Sequence, residues 1–329
     1  MQRRFRIRGL CYIRTMERPA FKMVCRGGLA WLEAARLGKL PWLVHAFSTR
    51  RGGGSRVPSN GLNLGLPDWR GQVEQNRRRF LRQIGAQDFS LASLRQVHSS
   101  HAFVVAAGGT CQIEYRLSGV PSAEQGATRP PAGDALMTAE AGLLLAVRIA
   151  DCLPVLLVDP RQHVVAAVHA GWRGALERVI EKAVGDMRLA FGTDPQQLLA
   201  VLGPSIRACC YEVGEAVVEA FNGRFASAKA FFRPLPRRPE AATDRIPFLS
   251  ARPPGHAPQV PAAHLDLVAV AEHQLTSAGV APSQILVADY CTACRTDLFF
   301  SHRKEGGRTG RQMAVIGIRP GKRRRLANP

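Results

Sequence analysis

The sequence predicts an α/β (α+β) protein with a single large domain, and three observations predict it. Its 329 residues are 46% hydrophobic and 21% charged, an ordinary globular composition with enough chain to bury one large core. From Pro41 to about Tyr211, short apolar runs alternate with turns bearing Gly or Asp. A few stretches of helical periodicity stand between them.

The elements follow in chain order. Residues 1–40 open with MQRRFRIRGLCYIRT, which is basic and nearly free of acids. They read as a basic N-terminal arm without predicted elements, compatible with disorder, and they lack the apolar core and cleavage site of a secretory signal. The main folded domain is expected to begin at about residue 41. Its first helix spans Gln72 to Ile84, and its strands include Ala102 to Ala107, Leu143 to Ala150, Pro154 to Asp159 and Val164 to Ala170. The last two flank the turn PRQH and read as a hairpin. A helix follows a Gly-bearing turn, from Ala175 to Leu189. Residues 224–262 change character, with PLPRRP and ARPPGHAPQVP, and read as a Pro-rich surface insertion. Patterning returns with HLDLVAVAEHQLTSAG, a helix closed by Gly279, and then the strand QILVADYCT. A basic tail, 319–329, ends the chain.

Composition also limits function. The longest apolar runs, LLLAV before Arg148 and LPVLLV after Cys152, fall short of the roughly 20 residues a membrane helix needs, so no membrane partner is expected. Eight cysteines, unevenly placed, do not form a disulfide scaffold, and a reducing cytoplasm is expected. The net charge of +20 favours polyanions. Much of that charge lies in the first 56 residues and in the run Lys322 to Arg325, so nonspecific polyanion contact through the basic ends is the inference drawn from it.

Three segments carry candidate chemistry. RQVHSSH, IADCLPVLL and AVHAGWRG each place a strong ligand, His98, Cys152 and His169, at or near a probable strand end. Two imidazoles and a thiolate suit zinc or copper and leave a fourth position for water or substrate. Their long spacing does not by itself announce a metal site, and taken alone it favours ordinary core histidines and a buried thiol. The glycines of HAGWRG permit a tight turn, with Arg173 able to meet an anion. Arg50 and Arg51 precede the glycines of TRRGGGS, whose amides could line a phosphate pocket, although no Walker motif is present. Cys291 and Cys294 form a CxxC with no second pair following at finger spacing, and the vicinal Cys209 and Cys210 sit at a turn; both pairs read as packing residues. Arg148 puts a charge in an otherwise apolar run, as if facing the site.

Taken in order, HAFSTRRGGGS, NLGL, QVHS, GDALMT, ADCLPVLLVD, AAVHAGWRG, LGPSIRACCYEVG, HLDL, CT and FFSHRKEGGRTGR resemble the laccase-domain family from about Pro41 to Ile318. That family was named for polyphenol oxidase activity and is associated with purine nucleoside phosphorylases and a peptidoglycan editing role. The resemblance implies layered mixed β-sheets flanked by helices, and a zinc site, with copper as the alternative, made of His98, Cys152 and His169 as metal ligands and catalytic residues. It further implies purine nucleosides and phosphate as substrates: phosphorolysis of adenosine, inosine and methylthioadenosine, and deamination of adenosine. Phosphorolysis needs an anion clamp, for which Arg50, Arg51 and Arg173 are the candidates. Asp134 and Asp151 could orient a ligand histidine or hold nearby backbone.

Three other readings compete. A copper polyphenol oxidase fits the old family name, but a single ligand cluster and the lack of HxH pairs speak against multicopper chemistry. A cysteine hydrolase acting on cell-wall precursors would use Cys152 as nucleophile and His169 as base. A nucleic-acid-binding module rests on net charge alone.

Overall fold

A computed structural model describes residues 19–56, 58–65, 70–108, 113–118, 130–235 and 261–320. Two mixed sheets dominate it. Phe21–Arg26, Leu29–Ala34, Leu43–Ser48, Gln312–Ile318, Leu143–Ile149 and Ser90–Ser93 form, in that order, a six-stranded sheet. Only its last pair is parallel. The second has seven strands in the order Ile285–Val287, Leu199–Leu202, Leu153–Asp159, Val164–Ala170, Ala135–Thr138, Ala102–Ala107 and Ile113–Leu117. A small third sheet joins Glu212–Gly214, Pro261–Leu265 and Phe232–Pro234.

The alternation of side chains along each strand explains why the sheets stack. In Leu153–Asp159, the odd residues Leu153, Val155 and Leu157 pack with helix residues Ile180, Val184, Val270 and Leu275. The intervening Leu156 and Val158 meet Leu145, Val147 and Ile316 of the six-stranded sheet. Both faces are therefore buried, which is why this segment reads as a continuous apolar run rather than an alternating one. On its far side the six-stranded sheet packs Val44, Ala146 and Val315 against Phe80 and Ile84. The layers run helix, sheet, sheet, helices, in agreement with the layered mixed α/β fold expected.

Most elements lie where the patterning placed them. The first helix is Arg70–Gln83, and the hairpin pairs Leu153–Asp159 with Val164–Ala170 in antiparallel register. The helix expected to close at Gly279 is Leu267–Ser277, capped by Asp266, whose carboxylate accepts from the backbone N–H groups of Val268 and Ala269.

Three expectations change. The arm predicted over 1–40 contains two strands, Phe21–Arg26 and Leu29–Ala34, so the sheet begins well before Pro41. Leu29, Leu32 and Ala34 are buried, and the weak alternation of the outer strand, exposed at the sheet edge, hid the hairpin. The helix expected from Ala175 to Leu189 is two helices, Trp172–Leu176 and Val179–Phe191, joined through Arg178 in the left-handed region. Buried Gln274 holds the break: its Nε2 donates to the Ala175 carbonyl at 2.6 Å, and its Oε1 accepts from Ile180 N–H at 3.2 Å. The strand expected over QILVADYCT covers only Ile285–Val287. Of the Pro-rich insertion, residues 236–260 lie outside the described residues, as do 1–18 and 321–329.

Candidate metal centre

The site forms where the chain crosses from one sheet to the other. Residues 150–152 connect Leu143–Ile149 of the six-stranded sheet to Leu153–Asp159 of the seven-stranded one. Cys152 therefore sits at the sheet junction. His169 lies near the end of Val164–Ala170, opposite Pro154 in the hairpin register. His98 comes from the loop between Ser90–Ser93 and Ala102–Ala107. The ligand atoms of His98, Cys152 and His169 all lie within 4.8 Å of one another. Cys152 Sγ is 3.7 Å from His98 Nε2.

A second layer fixes these groups. Asp134, fully buried, meets His169 Nδ1 at 2.8 Å, which leaves Nε2 of that ring for the centre. Its carboxylate also accepts from the backbone N–H groups of His98 at 3.1 Å and Ser99 at 2.6 Å, and from the Ser99 hydroxyl at 2.8 Å. One carboxylate thus orients His169 by its ring and His98 by its backbone. His98 adopts φ of 61° and Asp151 φ of 95°, conformations non-glycine residues seldom hold without support. Asp151 has that support: Thr292 Oγ1 donates to its Oδ1 at 2.6 Å and Arg303 N–H to its Oδ2 at 2.7 Å.

The donor set fits a zinc or copper ion in a three-ligand, open site. The backbone fits too. A Cβ on Gly171 would stand 2.6 Å from His98 Cδ2 and 3.0 Å from Cys152 Sγ, so glycine keeps the space over the ligands clear.

Electrostatics prepare the thiol. Burial opposes ionisation of Cys152, but the charge of His169 and hydrogen bonds from His169 and His98 outweigh it and bring the thiol down to about 6. Burial likewise lowers His169, and the Cys152 thiolate with Asp134 overcomes it, raising the imidazole to about 9. Between those values the metal-free site holds a thiolate–imidazolium pair. Iodoacetamide alkylation of Cys152 in chelator-treated protein is therefore expected to rise with a midpoint near pH 6, against about 8.5 for a free thiol. Alkylation that rises only at the free-thiol value would contradict this pairing.

The ligands open onto a cavity of about 370 Å³ lined also by Gln96, Arg148, His302 and Arg311. Arg148 does face the site. Its Nη2 donates to the Leu94 carbonyl and its Nε to Gln96 Oε1, whose amide also bonds the Arg148 backbone. Arg311 is tethered through Nη1 to the carbonyls of Thr309 and Gly310. Burial, then the like charges of Arg77 and Arg311, hold the Arg148 guanidinium below its ordinary value. Neither Arg148 nor Arg311 pairs with a carboxylate among the described residues.

The other arginines singled out in the sequence lie outside this cavity's lining. Arg50 pairs with Glu305 at 2.8 Å and stacks over Phe300. Arg51 pairs with Asp297 at 3.1 Å on the surface. Arg173 stacks on Trp172 and lines a separate cavity with Tyr211, Glu212 and Arg303. Sequence reasoning passed over Gln96, His302 and Arg311. Each lies within a recognised block, Gln96 at the start of QVHS and His302 and Arg311 in FFSHRKEGGRTGR, but nothing in the residue pattern marks a role.

A second group of potential ligands was set aside as packing: Cys209, Cys210, Cys291 and Cys294 converge, their sulfurs all within 4.8 Å.

Comparison with known proteins agrees with this architecture. The profile of a family described as "Multi-copper polyphenol oxidoreductase laccase" matches residues 44–319. The chain is 34% identical over 303 residues to "Purine nucleoside phosphorylase YlmD" of Geobacillus stearothermophilus, covering 91% of this chain and 97% of that protein. It is also 34% identical over 278 residues to "Adenosine deaminase RL5" from an unknown prokaryotic organism, with coverage of 83% and 93%. The crystal structure of the Bacillus licheniformis hypothetical protein YfiH superposes with a TM-score of 0.71 at 26% identity, covering 90% of this chain and 99% of that one.

Proposed function

The chain belongs to the multi-copper polyphenol oxidoreductase laccase family, and from that premise we propose that it is a purine nucleoside phosphorylase that also deaminates adenosine, working at the His98–Cys152–His169 centre. The observation that carries the proposal is the pairing, in one cavity, of this ligand set with two guanidiniums that have no carboxylate partner among the described residues.

Phosphorolysis joins a phosphate oxygen to the anomeric carbon of the sugar as the bond to the purine nitrogen breaks. The chain must hold a dianion beside an electron-poor sugar carbon and deliver a proton to the departing base. Arg148 and Arg311 bind the phosphate: burial, and after it the like charges of Arg77 and Arg311, disfavour the charged Arg148 guanidinium, and an anion entering beside it offsets that cost. Gln96 fixes the Arg148 fork by bonding both its backbone and its Nε. In this reading His302, which lines the cavity, passes a proton to the leaving purine. Asp134 keeps the His169 ring oriented throughout. Zinc or copper held by His98, Cys152 and His169 would supply a Lewis acid and, for deamination, a water acidified toward neutral pH.

Arg311→Ala is expected to raise KM for phosphate by about 10- to 100-fold, the worth of one charge-assisted hydrogen bond, while KM for inosine changes far less. Initial rates against phosphate at saturating inosine measure it; equal rises in both constants would remove the arginine from the anion site. The overall reading is tested by chromatography of adenosine or inosine incubated with protein, with and without phosphate. Free base that appears only with phosphate supports it, and unchanged nucleoside with metal-loaded protein overturns it.

One observation favours a second reading. Asp134, His169 and Cys152 stand in the order carboxylate, imidazole, thiol that a cysteine hydrolase uses, with the thiol already lowered to about 6. Such an enzyme would act on an amide of cell-wall precursors. A covalent adduct on Cys152, formed by a precursor peptide in metal-free protein, would favour it.

A further inference from the structure

Two cysteine pairs far apart in sequence meet at one edge of the seven-stranded sheet. Cys209 and Cys210 occupy the turn after Leu199–Leu202, where the backbone N–H groups of Cys210 and Tyr211 both bond the Arg207 carbonyl. Cys291 and Cys294 follow Ile285–Val287, the strand paired in parallel with Leu199–Leu202. Beyond the paired strands the two segments stay in contact through a bridge between Ser205 and Cys291 and a Thr292 N–H bond to the Ser205 carbonyl. Parallel pairing thus carries both turns to the same end of the sheet.

The sulfurs are spaced as a metal requires. Cys209 Sγ lies 3.7 Å from that of Cys210 and 3.6 Å from that of Cys294, and Cys210 Sγ lies 3.3 Å from that of Cys294. Four thiolates at about 2.3 Å from one zinc ion stand about 3.8 Å apart at the corners of a tetrahedron. A disulfide would require about 2.0 Å. Packing does not explain the group either: Cys209 and Cys294 are exposed, whereas thiols used as small hydrophobes are buried. Arg207 carries a buried Nε without a hydrogen-bond partner among the described residues, a cation for which a dianionic centre is a natural neighbour.

We propose that Cys209, Cys210, Cys291 and Cys294 bind one zinc ion as a closed structural site, separate from the His98–Cys152–His169 centre. Its location gives it a task. Thr292, inside the CTAC segment, donates to Asp151, and Ile206 N–H bonds the Asp151 carbonyl at 2.8 Å. Asp151 precedes Cys152 in the chain. Clamping the two turns together therefore holds Asp151 in its strained conformation and seats the Cys152 sulfur.

The test needs no enzymatic activity and stands apart from the nucleoside reading. In full-length His98→Ala/Cys152→Ala protein, where the other centre is disabled, one zinc per chain is expected by elemental analysis. Cobalt exchanged into that protein should give the intense sulfur-to-cobalt charge-transfer absorption and visible bands of a tetrahedral thiolate site. Cys209→Ser, at an exposed position, should weaken metal retention and shift those bands, and adding Cys294→Ser should abolish both. Zinc-free protein whose four thiols all react with Ellman's reagent would overturn the proposal. So would a coloured iron centre, or a Cys210–Cys294 disulfide mapped in protein kept under reductant.

Discussion

Cys152→Ala protein is expected to release purine base from inosine at less than about one-hundredth of the wild-type rate while keeping its fold. Loss of an outer-layer partner that merely orients a ligand typically costs about 10–100-fold, and loss of a ligand itself must exceed that. The fold should survive because Cys152 stands at a chain crossing that Leu153 and Val155 anchor in the core, and alanine there fills less space without introducing a polar group. One further change follows from the electrostatics. Without the thiolate, the leading contribution that raises His169 to about 9 disappears, and burial draws the imidazole downward. Chromatographic base release, circular dichroism and zinc content measured together check the result. Turnover within tenfold of wild type, at normal folding, would show that the reaction does not use this centre.

His98→Ala should behave similarly in turnover but differently in the thiol. Cys152 would keep its principal partner His169, so its alkylation midpoint should move only modestly above about 6. A thiol that both histidines control equally would instead return most of the way to its ordinary value.

How much of this was legible in the sequence depends on what each signal averages over. Strands such as Val164–Ala170 are buried on both faces, and their continuous apolar runs stand out from any background. The Phe21–Arg26 and Leu29–Ala34 hairpin was missed because its outer strand is largely exposed and carries Lys22 and Arg26, which resemble the basic residues before it. The break at Arg178 could not be read locally. It is imposed by Gln274, a residue almost a hundred positions later that satisfies the carbonyl and N–H groups the break leaves open. The grouping of His98, Cys152 and His169 was expected from blocks of sequence in a fixed order, since spacings as long as those from His98 to Cys152 and His169 say little by themselves, and the structure brings the three together.

Arg311 and the cysteine cluster were illegible for a different reason. In a chain with 45 Lys and Arg, Arg148 stood out by its charge within an apolar run but Arg311 did not, and Arg50 and Arg51 drew attention through neighbouring glycines rather than through any partner. Those two turn out to be paired with Glu305 and Asp297, whereas Arg148 and Arg311 have no such partners among the described residues. Only three-dimensional pairing separates the two classes. No second cysteine pair follows CTAC at finger spacing; the partner pair precedes it, and the parallel pairing of the short edge strand Ile285–Val287 with Leu199–Leu202 brings both together.

Asp134 is where structure and chemistry are most closely joined, and Asp134→Asn and Asp134→Ala should separate them. With asparagine the shape is kept and the amide oxygen, in the place of Oδ2, can still accept from the Val97 and Ser99 backbones, but the amide N–H₂, in the place of Oδ1, would face both His169 Nδ1 and the His98 N–H. That ring nitrogen must then accept, which puts the ring proton on Nε2, the atom needed at the centre. The expected loss is at least the 10–100-fold of an outer-layer partner, and about 10⁴-fold if the tautomer reverses fully, as it does when the aspartate of a serine protease triad is replaced. His169 should fall from about 9, and with less imidazolium beside it the Cys152 thiol should rise above about 6, moving the alkylation midpoint upward. Alanine acts on the fold instead. It strips the acceptor from the N–H groups of Val97, His98 and Ser99 and from the Ser99 hydroxyl, donors that are only part-buried, so that each loss costs about 1 kcal/mol. Such losses together are a sizeable part of the stability of an ordinary domain, about 5–15 kcal/mol, and the loop holding His98 at positive φ loses what fixes it. Urea unfolding should therefore show Asp134→Ala clearly destabilised and Asp134→Asn less so, with both inactive. An asparagine variant that is fully active would mean that the carboxylate serves only the backbone, and that the His169 tautomer is set by the centre itself.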